Sequence, residues 1–365
     1  MAIFRKKTIQ RGSRIRVLVV DDSVVIRRLV THALSEDPTL EVVGSASNGS
    51  IALARIPQLN PDVITLDIEM PEMDGLETLR RLRQSYKDVR VIMFSTLTER
   101  GAAITMEALT LGADDYVAKA SNMGALDRSM ASLRDELIPK IKQFFVLPEA
   151  TAITPVLPLN GTRTLPVSTL ARSMTAPKVV AIGVSTGGPT ALGQLVPQFP
   201  SGFSLPVLIV QHMPPLFTRL LAERLQAASA LKVEEAAEGA LVETGKVLIA
   251  PGDYHMRVAR KGTQPVVTLD QGPPENSCRP AVDVLFRSVE EVYGGACIAT
   301  VLTGMGYDGA RGASVLKAAG AYVIAQDEAT SVVWGMPGAV ARAGLADAIV
   351  PLDGVVPTML QRMAK

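Results

Sequence analysis

The stretch Val179-Val180-Ala181-Ile182-Gly183-Val184-Ser185-Thr186-Gly187-Gly188 decides the fold class. An apolar run that ends in a glycine-rich turn is typical of a strand leading into a helix in an α/β sheet. The turn carries one nucleophile candidate, Ser185. Two later apolar runs repeat the layout, one ending at His212 and one running into the glycine-rich turn that holds Asp308. Because ligands bind outside the carboxyl ends of parallel strands, we expect these three side chains to share one crevice.

Serine, histidine and aspartate at one crevice predict a hydrolase. A serine hydroxyl attacks a carbonyl poorly unless a base takes its proton, and His212 is the favoured base for Ser185. His255, which follows a Pro-Gly-Asp-Tyr turn, is the rival base among only three histidines. Asp308 is expected to hold the imidazole in the correct tautomer and to stabilise its cation.

The glycines beside Ser185 and Asp308 predict an oxyanion site, with the backbone N–H groups of Thr186 and Met305 as candidate donors. Residues 183–187 also fit the Gly-x-Ser-x-Gly elbow, but the chain order Ser, His, Asp differs from that of α/β-hydrolases. A different fold with convergent geometry is therefore expected. One alternative is a non-enzymatic regulator that binds a nucleotide at this turn, although residues 203–211 lack the acidic residue of a dinucleotide site. A DNA-binding output is weaker, because it needs a basic helix or stripe and the predicted helices at 216–229 and 281–293 have mixed charge.

Composition favours a chain of two or three domains with aliphatic cores. The 365 residues are 47% hydrophobic and only 4% aromatic, as expected for parallel sheets covered by helices. A net charge of +1 predicts no general attraction to nucleic acid. Cys278 and Cys297 are expected to remain thiols. No secretory signal or membrane-length apolar run is present, so we expect a cytoplasmic protein.

Strand and helix patterns divide the chain into four parts: a frayed basic leader at 1–13, an α/β unit at 14–143, a Pro-rich linker at 144–177 and a second α/β unit at 178–365. Both units are predicted to be doubly wound parallel sheets. Between residues 232 and 270, three short apolar runs separated by Gly and Pro predict an antiparallel addition.

Three carboxylates follow strands of the first unit. Asp21 and Asp22 come directly after one strand and Asp67 directly after another, so all three should meet at one sheet edge. Clustered carboxylates repel each other, and a hard cation such as Mg²⁺ relieves this. Ser95 and Lys119, after two further strands, should bring a hydroxyl and a cation that suit a phosphoryl group.

Three motifs follow one another in the first unit: Asp21-Asp22-Ser23, Leu66–Gly75 and Lys119. In these motifs and their order, residues 14–140 resemble the receiver domain of bacterial response regulators, which implies a flavodoxin-like fold. The resemblance implies that Asp67 accepts a phosphoryl group from a histidine kinase. It further implies Mg²⁺ ligation by Asp22 and Asp67, with Asp21 assisting and the Glu69 carbonyl as a further ligand.

The same resemblance implies that Ser95 is the switch hydroxyl, with its neighbour Thr96 as a rival. Ala120 departs from the family, which usually has proline after the lysine. The pattern therefore supports Lys119 more firmly than it supports the loop beyond it.

Residues 178–365 are similar to the catalytic domain of chemotaxis protein-glutamate methylesterases, the CheB family. Five stretches match in order: Ser185–Pro189, Gln211–Pro214, Ile249–Met256, Arg279–Phe286 and Thr303–Gly309. The resemblance implies a Rossmann-like unit with a Ser185-His212-Asp308 triad that hydrolyses glutamate methyl esters on chemoreceptors and releases methanol. Members of the family can also deamidate receptor glutamines. The resemblance therefore implies that the protein is peripheral to membranes only through its receptors.

The resemblance also implies control by the first unit, which covers the cleft until phosphorylation of Asp67 moves it through the region of Ser95 and Tyr116. The loop Val332–Pro337 fits the family and either walls the cleft or only packs through Trp334. Arg279 either contacts acidic receptor surface or forms an internal salt bridge.

Overall fold

The computed structural model of the protein describes residues 7–10, 12–96, 98–119, 126–146 and 176–364, without the side chains of 126–132. Two parallel sheets organise these residues, one before and one after the predicted linker. This confirms the predicted fold class of two doubly wound α/β units with a small antiparallel addition. Residues 147–175 of the predicted linker, residues 1–6 and 11 of the predicted leader, and Ala120 lie outside the described residues.

The first unit is a five-stranded parallel sheet in the order β3-β2-β4-β5-β6, with helices on both faces. This strand order is the flavodoxin-like one. Its elements are β1 (Lys7–Thr8), β2 (Ile15–Val20), α1 (Val24–Ser35), β3 (Leu40–Ala46), α2 (Gly49–Leu59), β4 (Val63–Asp67), α3 (Gly75–Ser85), β5 (Arg90–Thr96), α4 (Glu99–Thr110), β6 (Asp115–Lys119), α5 (Leu126–Lys142) and β7 (Phe145–Val146).

The second unit is a seven-stranded parallel sheet in the order β10-β11-β9-β8-β14-β15-β16 with a separate hairpin, β12-β13. Its elements are β8 (Val179–Val184), α6 (Gly188–Leu195), β9 (Val207–Gln211), α7 (Phe217–Ala228), β10 (Lys232–Glu235), β11 (Lys246–Ile249), β12 (His255–Lys261), β13 (Gln264–Asp270), α8 (Val282–Tyr293), β14 (Cys297–Val301), α9 (Ala310–Ala319), β15 (Tyr322–Gln326), α10 (Met336–Arg342), β16 (Ala348–Val350) and α11 (Val355–Met363). Two short 3-10 turns lie at Val196–Gln198 and Leu352–Gly354.

Two local predictions differ from the structure. Of the three predicted runs, only the two that become β12 and β13 pair in antiparallel, because the run at Lys246–Ile249 joins the main sheet in parallel between β10 and β9. Residues 7–10 of the predicted frayed leader are tied down: β1 pairs with β7, and Lys7 Nζ lies 2.6 Å from Asp62 Oδ1. The first unit therefore extends into residues assigned from the sequence to the leader and the linker.

The two units share a continuous apolar core across their contact. One buried cluster includes Met106 of α4 and Tyr116 of β6 together with Phe217 and Leu221 of α7. The rings of Tyr116 and Phe217 stack with centroids 4.9 Å apart and planes 8° apart. Polar contacts border the stack, including an Arg224 Nη1 to Met106 carbonyl hydrogen bond of 2.7 Å. The α4–β6 face of the first unit thus covers one side of the second unit.

Candidate active site

The three predicted reactive side chains lie where the chain order of the second sheet reverses. Strand β8 is flanked by β9 on one side and by β14 on the other, so a crevice opens beyond their carboxyl ends. Ser185 follows β8, His212 follows β9 and Asp308 lies in the turn beyond β14. The topology alone therefore brings these residues to one site.

The turn that carries Ser185 is held on both sides by backbone contacts. Ser185 N–H donates to the Thr303 carbonyl at 3.0 Å, and the Ser185 carbonyl accepts from Gly188 N–H at 2.8 Å. Gly187 has a φ of +76°, a conformation that favours glycine. Gly304 packs so closely that a Cβ atom there would lie 2.8 Å from Ser185 Cβ. The hydroxyl is therefore presented from a fixed backbone.

His212 is oriented by Asp308. Its Nε2 lies 2.8 Å from Asp308 Oδ2, which leaves Nδ1 as the nitrogen available to Ser185. Nδ1 faces the thiol of Cys278 at 3.5 Å. Among the described residues no hydrogen bond joins His212 to the Ser185 hydroxyl, although both line one cavity. Such hydrogen bonds are often long before substrate binds.

The charges of this pair reinforce each other. Burial alone lowers the pKa of His212, but the hydrogen bonds to Asp308 and Cys278 outweigh it and raise the pKa from 6.5 to about 10. Burial raises the pKa of Asp308, yet the hydrogen bond and charge of His212 and two backbone N–H groups bring it below 3.8. Those N–H groups belong to Val282 and Asp283 at the start of α8, whose helix dipole favours a carboxylate.

His255, the rival base, has a structural environment. It is 2% exposed, its Nε2 lies 3.0 Å from the Pro273 carbonyl, and its Nδ1 accepts from Ala281 N–H at 3.3 Å. Both ring nitrogens are thus used in joining the β12 hairpin to the start of α8. This favours His212 as the base.

The two predicted oxyanion donors are free to bind a ligand. Within the described parts of the chain, the backbone N–H groups of Thr186 and Met305 donate to no acceptor. Thr186 is buried in the turn after Ser185, whereas Met305 is 41% exposed. Both residues line the cavity that contains Ser185. Free N–H groups beside a nucleophile are suited to stabilise a developing oxyanion.

A cavity of about 560 Å³ contains the site and is closed on one side by the first unit. Tyr116, Glu136 and Lys140 line it opposite Ser185 and His212. Asp115 of β6, which is 6% exposed, accepts a 3.4 Å hydrogen bond from the Thr186 hydroxyl. Burial raises the pKa of Asp115, and the Lys140 charge opposes this. The first unit therefore directly contacts the turn that carries Ser185.

Two other sequence predictions concern the walls of the cleft. Trp334 Nε1 donates to the Gln326 carbonyl at 2.9 Å, and Trp334 does not line the cavity. The loop Val332–Pro337 instead holds the backbone of the turn after β14, because Gly304 N–H donates to the Val333 carbonyl at 2.9 Å. Arg279 forms the internal salt bridge: its Nε lies 3.0 Å from Asp253 Oδ1.

The first unit carries an acidic cluster at its carboxyl edge. Ligand atoms of Asp21, Asp22 and Asp67 lie within 4.8 Å of one another, and Lys119 Nζ lies 2.7 Å from Asp67 Oδ1 and 2.9 Å from Asp21 Oδ2. Burial, followed by the charge of Asp21, raises the pKa of Asp67 to about 6 against the opposing effect of Lys119. Asp21 and Asp67 are buried, and Lys119 pairs with both. Three packed carboxylates beside this ammonium group leave a net negative charge, which suits a divalent cation.

The switch candidates occupy different environments. The Ser95 hydroxyl is fully buried against α4, where Thr105 Oγ1 donates to it at 2.7 Å. Thr96 is half-buried and pairs in register with Lys119. Glu69 is exposed, and its side chain lies 3.9 Å from Arg100. Its carbonyl, not its carboxylate, is the predicted ligand.

Sequence reasoning missed three residues that line this cavity: Asp115, Asn276 and Cys278. Asp115 belongs to the first unit, and no local pattern indicates a contact across two units. Asn276 and Cys278 lie in an irregular segment before α8, and only their position just before the Arg279–Phe286 match could have drawn attention to them. Both cysteines are free thiols, as predicted.

The first unit is flavodoxin-like and carries an acidic cluster of the phosphoacceptor type. The second unit has serine, histidine and aspartate at the crevice of its sheet. Together these features define the class of protein as a response regulator with a hydrolase output domain. The CheB methylesterase family model matches residues 180–359, and the response regulator receiver domain model matches residues 17–131. The chain belongs to the CheB family of protein-glutamate methylesterases. This confirms the family and enzyme class predicted from the sequence.

Full-length relatives and a solved structure agree with this assignment. A Trichodesmium erythraeum protein called protein-glutamate methylesterase/protein-glutamine glutaminase is 50% identical, over 96% of this chain and 99% of its own length. A Nocardioides protein of the same name is 52% identical over 96% of both chains. The Thermotoga maritima CheB methylesterase catalytic domain aligns with a TM-score of 0.50 and 42% identity, covering 51% of this chain and 99% of that domain.

No helix in the described part of the chain is both long enough and apolar enough to cross a membrane.

Proposed function

We propose that this protein is a phosphorylation-activated hydrolase that demethylates glutamate methyl esters on chemoreceptors with a Ser185-His212-Asp308 triad. The observation that carries the proposal is the 2.8 Å contact of His212 Nε2 with Asp308 Oδ2 in the cavity that Ser185 lines. His212 Nδ1 takes the proton as Ser185 Oγ attacks the ester carbonyl. The bond to methoxide then breaks, and the imidazolium returns its proton to form methanol.

Water completes the cycle by attacking the acyl-enzyme and restoring both the hydroxyl and a free glutamate carboxylate. The N–H groups of Thr186 and Met305 bind the oxyanion in both steps. Losing one such donor costs about 10² to 10³ in rate in enzymes where it has been measured. An amide carbonyl passes through a similar oxyanion, which supports a second activity as a glutaminase.

Control is proposed to begin at Asp67. A chemotaxis histidine kinase transfers its phosphoryl group: the phosphorus–nitrogen bond breaks and a phosphorus–oxygen bond to Asp67 forms. Asp22 and Asp67, with Asp21 assisting and the Glu69 carbonyl as a further ligand, would hold Mg²⁺, which would neutralise the negative charge of the carboxylates and the phosphoryl group. Lys119 pairs with the phosphoryl group, and the hydroxyl of Ser95 or Thr96 donates a hydrogen bond to one of its oxygens.

The closed cleft is proposed as the resting state. Two contacts keep the first unit over the cavity: Tyr116 stacks on Phe217, and Asp115 accepts a hydrogen bond from Thr186. In this position the first unit excludes a receptor helix from the cavity. Phosphorylation shifts the population toward an open form by changing the α4–β6 face. The receptor and kinase partners imply that the reaction takes place in the cytoplasm, with no nucleic acid involved.

The test is methanol release from methylated receptor membranes with and without a small phosphodonor. Ser185→Ala should abolish turnover, whereas Asp67→Asn should keep basal turnover and lose the stimulation. Retained turnover in Ser185→Ala would exclude Ser185 as the nucleophile. Unchanged stimulation in Asp67→Asn would point to another phosphoacceptor.

A further inference from the structure

We propose that Asn276 is a positioning residue of the esterase site, whose amide group bridges Asp308 and Asp283 and thereby turns the Asp308 carboxylate toward His212. The inference rests on the proposed function, because it assigns Asn276 to the reaction of that triad. Asn276 Nδ2 lies 2.8 Å from Asp308 Oδ1 and 3.0 Å from Asp283 Oδ2.

The Asn276 amide offsets the repulsion between two buried carboxylates. Asp308 is 2% exposed and Asp283 is fully buried, so two carboxylates face each other at the start of α8 with little solvent between them. Burial raises the pKa of Asp283, and the charge of Asp308 raises it further. An amide nitrogen is the one neutral side-chain donor with two hydrogens on a single atom. Asn276 therefore satisfies both carboxylates without adding a charge.

The bridge also decides which Asp308 oxygen serves His212. Oδ1 accepts from Asn276 Nδ2, from Asp283 N–H at 3.1 Å and from Gly309 N–H at 3.0 Å. Oδ2 accepts from Val282 N–H at 2.6 Å and faces His212. Apart from His212, Asn276 is the only side chain among the described residues that contacts Asp308 by a hydrogen bond. Its loss leaves the two carboxylates to repel each other next to the base.

A short turn holds Asn276 in place. Asn276 has a φ of 52° and Ser277 a φ of 64°, between Glu275 and Cys278, which exchange backbone hydrogen bonds of 3.1 and 2.9 Å. Two consecutive positive φ angles are the pattern of a type I′ turn, where asparagine is preferred. Glu275 is anchored to Arg287 of α8 by hydrogen bonds of 2.8 and 2.5 Å. The turn therefore fixes the amide relative to the helix that holds Asp308.

Asn276→Gly tests the proposal, because glycine adopts the left-handed backbone without strain and removes the side chain that carries the amide. In the full-length protein, kcat for methanol release should fall by about 10- to 100-fold, the usual effect of losing a hydrogen bond to a charged group, while KM stays within about twofold. The isosteric Asn276→Asp, which replaces both donors by acceptors, should lower kcat at least as far. The matched control is Asn60→Gly, another left-handed asparagine, whose side chain makes no hydrogen bond to any described residue.

A second readout does not depend on activity. With three histidines in the chain, ¹⁵N-histidine labelling resolves the Nε2–H proton of His212, and both Asn276 variants should shift this resonance while Asn60→Gly leaves it unchanged. An unchanged kcat, or a loss expressed only in KM, would overturn the positioning role. If the wild-type protein releases no methanol, the proposed function fails, and the His212 resonance still decides whether Asn276 orients the pair.

Discussion

The stacked pair of Tyr116 and Phe217 offers a quantitative test of closure by the first unit. Tyr116 is 8% exposed, and its ring lies 4.9 Å from that of Phe217, nearly parallel to it. Stacked aromatic pairs contribute about 0.5–1.5 kcal/mol beyond the area they bury. Tyr116→Ala removes this contribution from the closed form only, which changes the closed-to-open ratio by about 2- to 12-fold before the lost burial is added.

We therefore expect Tyr116→Ala to raise unphosphorylated methanol release by at least about fivefold and to reduce the ratio of stimulated to basal activity. Tyr116→Phe keeps the ring and serves as the matched control, with basal activity close to wild type. Phe217→Ala should give a similar increase in unphosphorylated methanol release. The double variant should show little further increase over either single variant, because both substitutions remove the same contact. An unchanged basal rate in Tyr116→Ala, with the fold intact by thermal unfolding, would refute closure through this stack.

Three further predictions concern the esterase site. Asp308→Asn should lower turnover by about 10⁴, as in serine proteases, because the base loses its tautomer control, and a loss below tenfold in methanol release would contradict this. Gly304→Ala places a Cβ atom 2.8 Å from Ser185 Cβ and 2.4 Å from Met336 Sδ, so methanol release should fall sharply, and wild-type kinetics would refute the tight fit. The raised pKa of His212 predicts that its contribution to stability is complete below pH 6.5 and is lost as pH rises toward 10, while activity, which needs the neutral ring, increases over the same window. Denaturant unfolding of wild type and His212→Gln across this range checks the sign, and a difference independent of pH would contradict it.

The sequence alone was sufficient to predict the placement of side chains that directly follow a strand. Apolar runs that end at Ser185, at His212 and before Asp308 predict one crevice because parallel strands share a carboxyl edge. The same rule predicts the meeting of Asp21, Asp22 and Asp67. These predictions need only the apolar runs that mark the strands and the position of each polar residue after its strand.

Contacts made by irregular segments or between units were not predictable in this way. Nothing local in Asn276 indicates a partner 32 positions away, since a turn asparagine has the same sequence signature with or without a bound carboxylate. The 71-residue separation between Asp115 and Thr186 depends on how two sheets dock. The parallel placement of Lys246–Ile249 was missed for a related reason: its connection from β10 contains no helix to indicate a crossover.

The central claim is that His212, held by Asp308, makes one particular hydroxyl nucleophilic. The most direct measurement is mass-spectrometric mapping of the adduct formed by a fluorophosphonate on the full-length protein, compared between wild type and His212→Ala. We expect a single adduct on Ser185 whose rate of formation falls by at least about 10² in the variant, the lower end of general-base catalysis. An adduct on another residue, or labelling of Ser185 at the same rate without His212, would contradict the account.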